Sequence, residues 1–354
     1  MMREHKQWSG EYLSWLTRYG IYVVLLLLVI VFSLGNRRFF TVENLLLILQ
    51  QASPLGIAVV GTVFVLLVVG IDISVGRSMF FVSTLAGCLV NTTGIIPETF
   101  FADMRGPALV LVMVLLLGGI VGWINGFLVT RFRILPFIVT LATGSILRGV
   151  GLKISGSASI GVAVLGRLSN GQVGPIPNVL IIFGLVLVVF DYVLRHTVYG
   201  RHLMAIGNSA RNAERAGIKV NRNTVIAYVI CGALGAFGGI LSAGQIGSVS
   251  AGFGEGNEFI VISAAVLGGT SLFGGKGSIL PGAVTGIILV TTIMNGLAMM
   301  NASPFIYTIV RGLIIFFAIA LDSIGHKGEL REISSSMYAE GKPQSVNNEK
   351  ELAK

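Results

Sequence analysis

Between residues 20 and 322 the sequence repeats one theme: an apolar run, a few polar or turn-forming residues, then another apolar run. A helix needs about 20 mainly apolar residues to cross the hydrocarbon of a bilayer. Runs of that order lie near 20–35, 54–70, 72–92, 107–130, 134–154, 178–194, 223–244, 259–271, 278–297 and 304–322. The expectation is an all-α membrane protein with about ten transmembrane helices. Charge usage agrees, since only 12% of the residues are charged against about 25% in a soluble domain. The net charge of +9 then reads as lysine and arginine retained on the cytoplasmic side, and nucleic acid is not an expected partner.

The stretch "MMREHKQWSGEYLSWLTRY" places Trp8, Tyr12, Trp15 and Tyr19 ahead of the first run, which suits an interfacial helix. No convincing small-residue cleavage site follows Gly35, so the run reads as a retained helix and not as a signal peptide. Three regions follow: a cytoplasmic or interfacial segment over 1–19, a transmembrane domain over 20–322, and a polar cytoplasmic tail over 323–354 that reads as disordered. The loop 195–222 holds Arg195, Arg201, Arg211, Arg215, Lys219 and Arg222 against Glu214, and "TRFR" at 130–133 is also basic. Both are therefore expected inside, which puts both termini in the cytoplasm and the segments 91–106, 155–178 and 244–258 outside. Arg37 and Arg38, on an outer turn in this scheme, break the rule.

Two crossings are irregular. The run 259–271 is short for a full span, and "LVVGIDISVGRS" at 67–78 interrupts an apolar stretch with Gly70, Asp72 and Gly76. Interrupted helices in a bilayer need protein or a water-filled cavity to satisfy their backbone, and they often mark a transport pathway. The alternative is that the glycines allow close helix packing. "NGFLVTRFRILPFI" (125–138) and "NGLAMMNASPFI" (295–306) share Asn-Gly at the end of one run and Pro-Phe-Ile at the start of the next, on opposite sides of the membrane. That is the trace an inverted repeat would leave.

Asp72 is the acid that this scheme places clearly inside the apolar belt; Asp191 and Asp322 sit at cytoplasmic helix ends. Such a carboxylate can be a proton site, a cation ligand or a cap for the next half-helix, and Ser74 two residues on makes capping the plainest role. Intramembrane proteolysis needs two facing carboxylates or a serine with a base. The four histidines all lie in polar segments, which argues against both this chemistry and metal ligation. Cys88 and Cys231 sit in apolar runs and read as small core residues. "VLGGTSLFGGKGSILPG" (266–282) looks like a phosphate loop but fails twice, with Thr270 in place of the first glycine and Gly277 after Lys276. Within the basic loop, Asn208 or Ser209 can cap a helix over "ARNAERA", with Gly217 as its left-handed stop. That helix suits docking onto another protein or lying on anionic lipid.

Four stretches together resemble one family, the permease subunits of ATP-binding-cassette importers for monosaccharides of the ribose, xylose and galactose type: 44–76, 135–151, 199–222 and 256–289. The resemblance covers nearly everything between Asn44 and Asp322. It implies a type II importer-like architecture of inverted repeats, with some broken or short helices, in a bacterial inner (plasma) membrane. It also implies a second permease copy or paralogue, an extracytoplasmic sugar-binding protein, and a cytoplasmic ATPase subunit that uses the ATP, this chain binding no cofactor. By the same resemblance, Asn208, Arg211, Ala213, Glu214, Arg215, Ala216 and Gly217 belong to a coupling helix seated in the ATPase. Gly268, Gly269, Gly274, Gly275 and Lys276 become a tight cytoplasmic turn, the lysine an anchor or ATPase contact. Monosaccharides are neutral polyols, so Gln50, Gln51, Ser74, Asn125, Thr140, Thr143 and Asn295 are pathway candidates, and each can equally be an interhelical hydrogen bond. The competing reading is a secondary transporter that moves a proton or cation on Asp72.

Overall fold

A computed structural model of the protein describes residues 20–92, 105–162 and 166–325. The interfacial segment expected before residue 20, the outer loop 93–104 and the tail from 326 lie outside the described residues. The helices are α1 (Gly20–Gly35), α2 (Val42–Leu67), α3 (Val75–Thr92), α4 (Arg105–Phe132), α5 (Pro136–Ser155), α6 (Gly166–Asn170) and α7 (Asn178–His196). They continue with α8 (Val198–Asn208), α9 (Ala210–Arg215), α10 (Val220–Ile246), α11 (Asn257–Leu267), α12 (Val284–Met299) and α13 (Pro304–Gly325). Six helical stretches, matching α2, α4, α5, α7, α10 and the run Ile279–Met299, are long and apolar enough to cross a membrane, and α1, α3, α11 and α13 contain shorter apolar ones. Beyond these, two-residue strands pair Ile160–Gly161 with Ser248–Val249, and Gln172–Val173 with Ile176–Pro177.

Two buried helices, α2 and α10, form the centre and run antiparallel: a Cβ on Gly61 would meet the Cys231 backbone, and one on Gly238 would strike the Pro54 carbonyl. On the far side of α10 the glycines Gly118, Gly122 and Gly126 of α4 lie one turn apart and face Gly232, Tyr228 and Val225. Small residues at every fourth position let two backbones approach, so dispersion and not hydrophobic transfer holds helices together in lipid. Side-chain size at these positions, more than propensity, fixes the bundle.

The structure corrects one boundary. The second crossing starts at Val42, not near 54, because Pro54 lies inside α2 and does not open it. Proline removes one helix hydrogen bond and leaves the carbonyl four residues back, that of Gln50, without its partner. The Gln245 side chain of α10 donates to that oxygen at 3.0 Å, which is how a helix interior tolerates proline in lipid.

The inverted repeat is visible in the element order. Each half offers a long buried helix (α2, α10), an irregular segment (68–74, 247–256), a short helix (α3, α11), a helix with Asn-Gly in its C-terminal turns (α4, α12) and a proline-started helix (α5, α13). The two Asn-Gly hairpins lie at opposite ends of the bundle. Asn36 Nδ2 near the start of α2 donates to the Met299 carbonyl, whereas α4 approaches the first turns of α10 as it ends.

Candidate functional site

Three places carry polar chemistry, and the first is the break between α2 and α3. After Leu67 the chain turns through Val69 in the left-handed region and continues without regular structure to Ser74. Asp72 is buried there, and one oxygen, Oδ1, accepts from the Ser74 backbone N–H at 2.9 Å and from Ser74 Oγ at 2.6 Å. Ser74 in turn offers its carbonyl to Ser78 N and so starts α3. Asn125 Nδ2 of α4 donates to Ser74 Oγ at 2.9 Å, and Thr140 Oγ1 of α5 accepts from Ile73 N at 3.1 Å. Asp72, Ser74, Asn125 and Thr140 thus form one buried knot tying α3, α4 and α5 to the irregular segment.

Of the remaining polar candidates, Asn295 lies elsewhere and accepts from Asn44 Nδ2 at 3.1 Å, linking α12 to the first turn of α2. Thr143 is half-buried on α5, Gln50 is half-buried on α2, and Gln51 faces outward. The seven candidates are not brought to a single site.

The second place is the end of the bundle where α2 finishes. Ser209 caps α9 by accepting from Asn212 N, and Gly217 stands at φ 81°. Ala213 is buried, while Asn208, Arg211, Glu214, Arg215, Ala216 and Gly217 are exposed. Behind them, a Cβ on Gly207 would fall on the Leu67 carbonyl and on Gly275 N. Gly275 N donates to the Leu67 carbonyl at 3.0 Å, so α8, the C-terminal end of α2 and the glycine turn meet at one point. Tyr199 anchors α8 from the other side, its hydroxyl donating to the Asn223 carbonyl; burial pushes its phenol well above the ordinary range and keeps it a donor.

The glycine turn uses its own amides. Ser271 N goes to the Lys276 carbonyl, Leu272 N to Asp322 Oδ2, Phe273 N to Ser271 Oγ, and Leu280 N to Asp191 Oδ1. Gly269, Gly274 and Gly275 all have positive φ, which favours glycine. A phosphate loop must present such N–H groups to its ligand; here carboxylates on α7 and α13 and the end of α2 take them.

The third place was missed in the sequence. Residues 250–258 are not a free loop: Gly254 and Glu258 pack on Gly76 at the start of α3. Arg77, Arg148, Glu255 and Arg311 surround them. The signal was the shortness of the 259–271 run, but a Gly-, Ser- and Glu-rich segment before it has the composition of an exposed loop. Among the described residues, no group of three or more His, Cys, Asp or Glu could hold a metal ion.

The family described as "Branched-chain amino acid transport system / permease component" matches residues 44–319. The galactose/methyl galactoside import permease protein of Salmonella typhimurium is 33% identical over 329 residues, spanning 89% of this chain and 96% of that protein. The ribose import permease protein of Escherichia coli is 32% identical over 316 residues, covering 88% and 95%. A D-allose transport system permease protein of E. coli is 33% identical over 313 residues, covering 87% and 92%. No solved structure matches significantly.

Proposed function

This chain belongs to the permease-component family of those transport systems, and from that premise we propose that it forms the translocation pathway of an ATP-driven importer for a monosaccharide. The observation that carries the proposal is the likeness over most of the chain to import permeases for galactose, ribose and allose, in a helical bundle with six membrane-length spans among the described residues.

Hydrolysis falls to a separate cytoplasmic ATPase, and this chain binds no cofactor. The exposed, basic side of α9 with Glu214 is the docking surface for that subunit. Contact there is passed through Gly207 to the Leu67 carbonyl and Gly275, and so to the end of α2 and the break before α3. An extracytoplasmic binding protein delivers the sugar to the opposite face, and a second permease copy or paralogue closes the pathway. Both termini lie in the cytoplasm of a bacterial cell, with the chain in its inner membrane.

The test is uptake in proteoliposomes that hold the permease with its co-purifying ATPase and binding protein. Labelled D-ribose, D-galactose or D-allose should accumulate only with ATP inside the compartment that faces the ATPase. Accumulation driven by an ion gradient without ATP would overturn the reading.

A further inference from the structure

Charged residues gather where the two half-helices α3 and α11 meet. Their depth follows from packing. Gly235 of α10 faces Val75, the first residue of α3, and lies about 22 Å along that helix from its start and about 16 Å from its end at 1.5 Å per residue. The N-terminal end of α3 is therefore near the middle of the span. α11 has 11 residues and a length of about 16 Å, so its own N-terminal end is near the same level. Gly76 and Gly254 join the two: a Cβ on either would strike the backbone of the other.

Around this junction the side chains are charged and incompletely partnered. Arg148 Nη2 pairs with Glu255 Oε2 at 3.2 Å, with Arg148 22% and Glu255 72% exposed, and its guanidinium lies 5.2 Å from the Phe80 ring centroid. Arg311 Nη1 reaches the Glu255 carbonyl, and Arg77 Nη1 reaches the Leu141 carbonyl and Ser145 Oγ. Glu258 is only 4% exposed, yet its Oε2 has no hydrogen-bond partner; the same holds for Arg148 Nη1 and Arg311 Nε. Buried polar atoms without partners are rare and costly. A carboxylate as open as that of Glu255 at this depth cannot face hydrocarbon and belongs on a water-filled cavity.

We propose that this junction, faced by Arg77, Arg148, Glu255, Glu258 and Arg311, is a hydroxyl-binding station for a polyol crossing the membrane. The inference rests on the sugar-permease reading and deepens it. Each sugar hydroxyl both donates and accepts, which is the chemistry that a free carboxylate oxygen and free guanidinium N–H groups call for. A solute of either charge would meet an opposing like charge in a cluster that holds both signs. Exposure of Glu255 to water keeps the hold loose, as passage requires.

Ser145 is exposed and its Oγ accepts from Arg77 Nη1 at 3.3 Å, so Ser145→Cys is a near-isosteric reporter that puts a thiol at the junction. In a Cys88→Ser background, purified permease in nanodiscs is treated with a charged methanethiosulfonate, with Leu185→Cys on the apolar exposed face of α7 as control. The station predicts that Ser145→Cys reacts about tenfold faster than the control or more, since the reagent avoids hydrocarbon. D-ribose, D-galactose or D-allose should slow that reaction about threefold or more, and Arg148→Gln with Glu258→Gln should abolish the protection by removing charge-assisted hydrogen bonds. Should that pair not fold, Glu255→Gln, at an exposed side chain, serves instead. Equal reactivity at the two cysteines, or reactivity that no sugar slows, would overturn the station. ATP-driven sugar uptake without protection sinks the station alone; absence of uptake for any sugar sinks the reading beneath it as well.

Discussion

At the scale of single residues, space and hydrogen bonding make opposite demands on α4 and on the break before α3. A methyl group on Gly122 falls on the Tyr228 carbonyl, whereas one on Gly119 meets only Val229 at 3.7 Å. Gly122→Ala should lose about 1–3 kcal/mol by overpacking. Gly119→Ala should be neutral or gain up to about 1 kcal/mol through helix propensity. Thermal unfolding of the two variants in nanodiscs separates them, and equal losses would contradict the packing described. Asp72 presents the complementary case: Asp72→Asn keeps the oxygen that serves Ser74 and should retain ATP-driven uptake. Asp72→Ala strips Ser74 N–H of its acceptor and should cost about 1 kcal/mol or more. Loss of uptake in a stably folded Asp72→Asn protein would return attention to a proton or cation at that position.

At the scale of elements, the account depends on contacts between α8, the end of α2 and the glycine turn. Gly207→Ala should push α8 away from the Leu67 carbonyl and Gly275, leaving ATP hydrolysis in place while uptake falls about 5–150-fold, the span of ordinary coupling free energies. Parallel assays of hydrolysis and uptake check this; equal loss of both would point to misfolding or failed docking. The elements involved were unequally legible. The α9 helix and its Gly217 stop could be read from adjacent residues, and its cap narrowed to Asn208 or Ser209, because capping is local chemistry; the structure makes it Ser209. The start of α2 could not, since Pro54 is a boundary signal on its own and only Gln245, far along the chain, makes it acceptable inside a helix. The return of 250–258 into the bundle was hidden for the same reason: Gly76 and Gly254 have to meet across 178 residues of sequence before Glu258 is buried. Asn125 and Asn295 were legible as polar residues in apolar runs, but their partners Ser74 and Asn44 come only from the packing.

At the scale of the whole molecule, the bundle has two functional ends and a polar junction between them. Exposed basic residues of α9 stand at the end where α2 finishes, and the two half-helices meet about midway through the span. This is the arrangement that the proposed permease needs, a pathway between two ends that a separate ATPase would move. Its most direct test is to purify the tagged chain gently from its native membranes and to measure, by mass spectrometry with stoichiometry, what accompanies it. The account predicts a near-equimolar ATPase with nucleotide-binding motifs, lost when Glu214 and Arg215 are both replaced by alanine. A chain that arrives alone and moves sugar in proteoliposomes without ATP would contradict it.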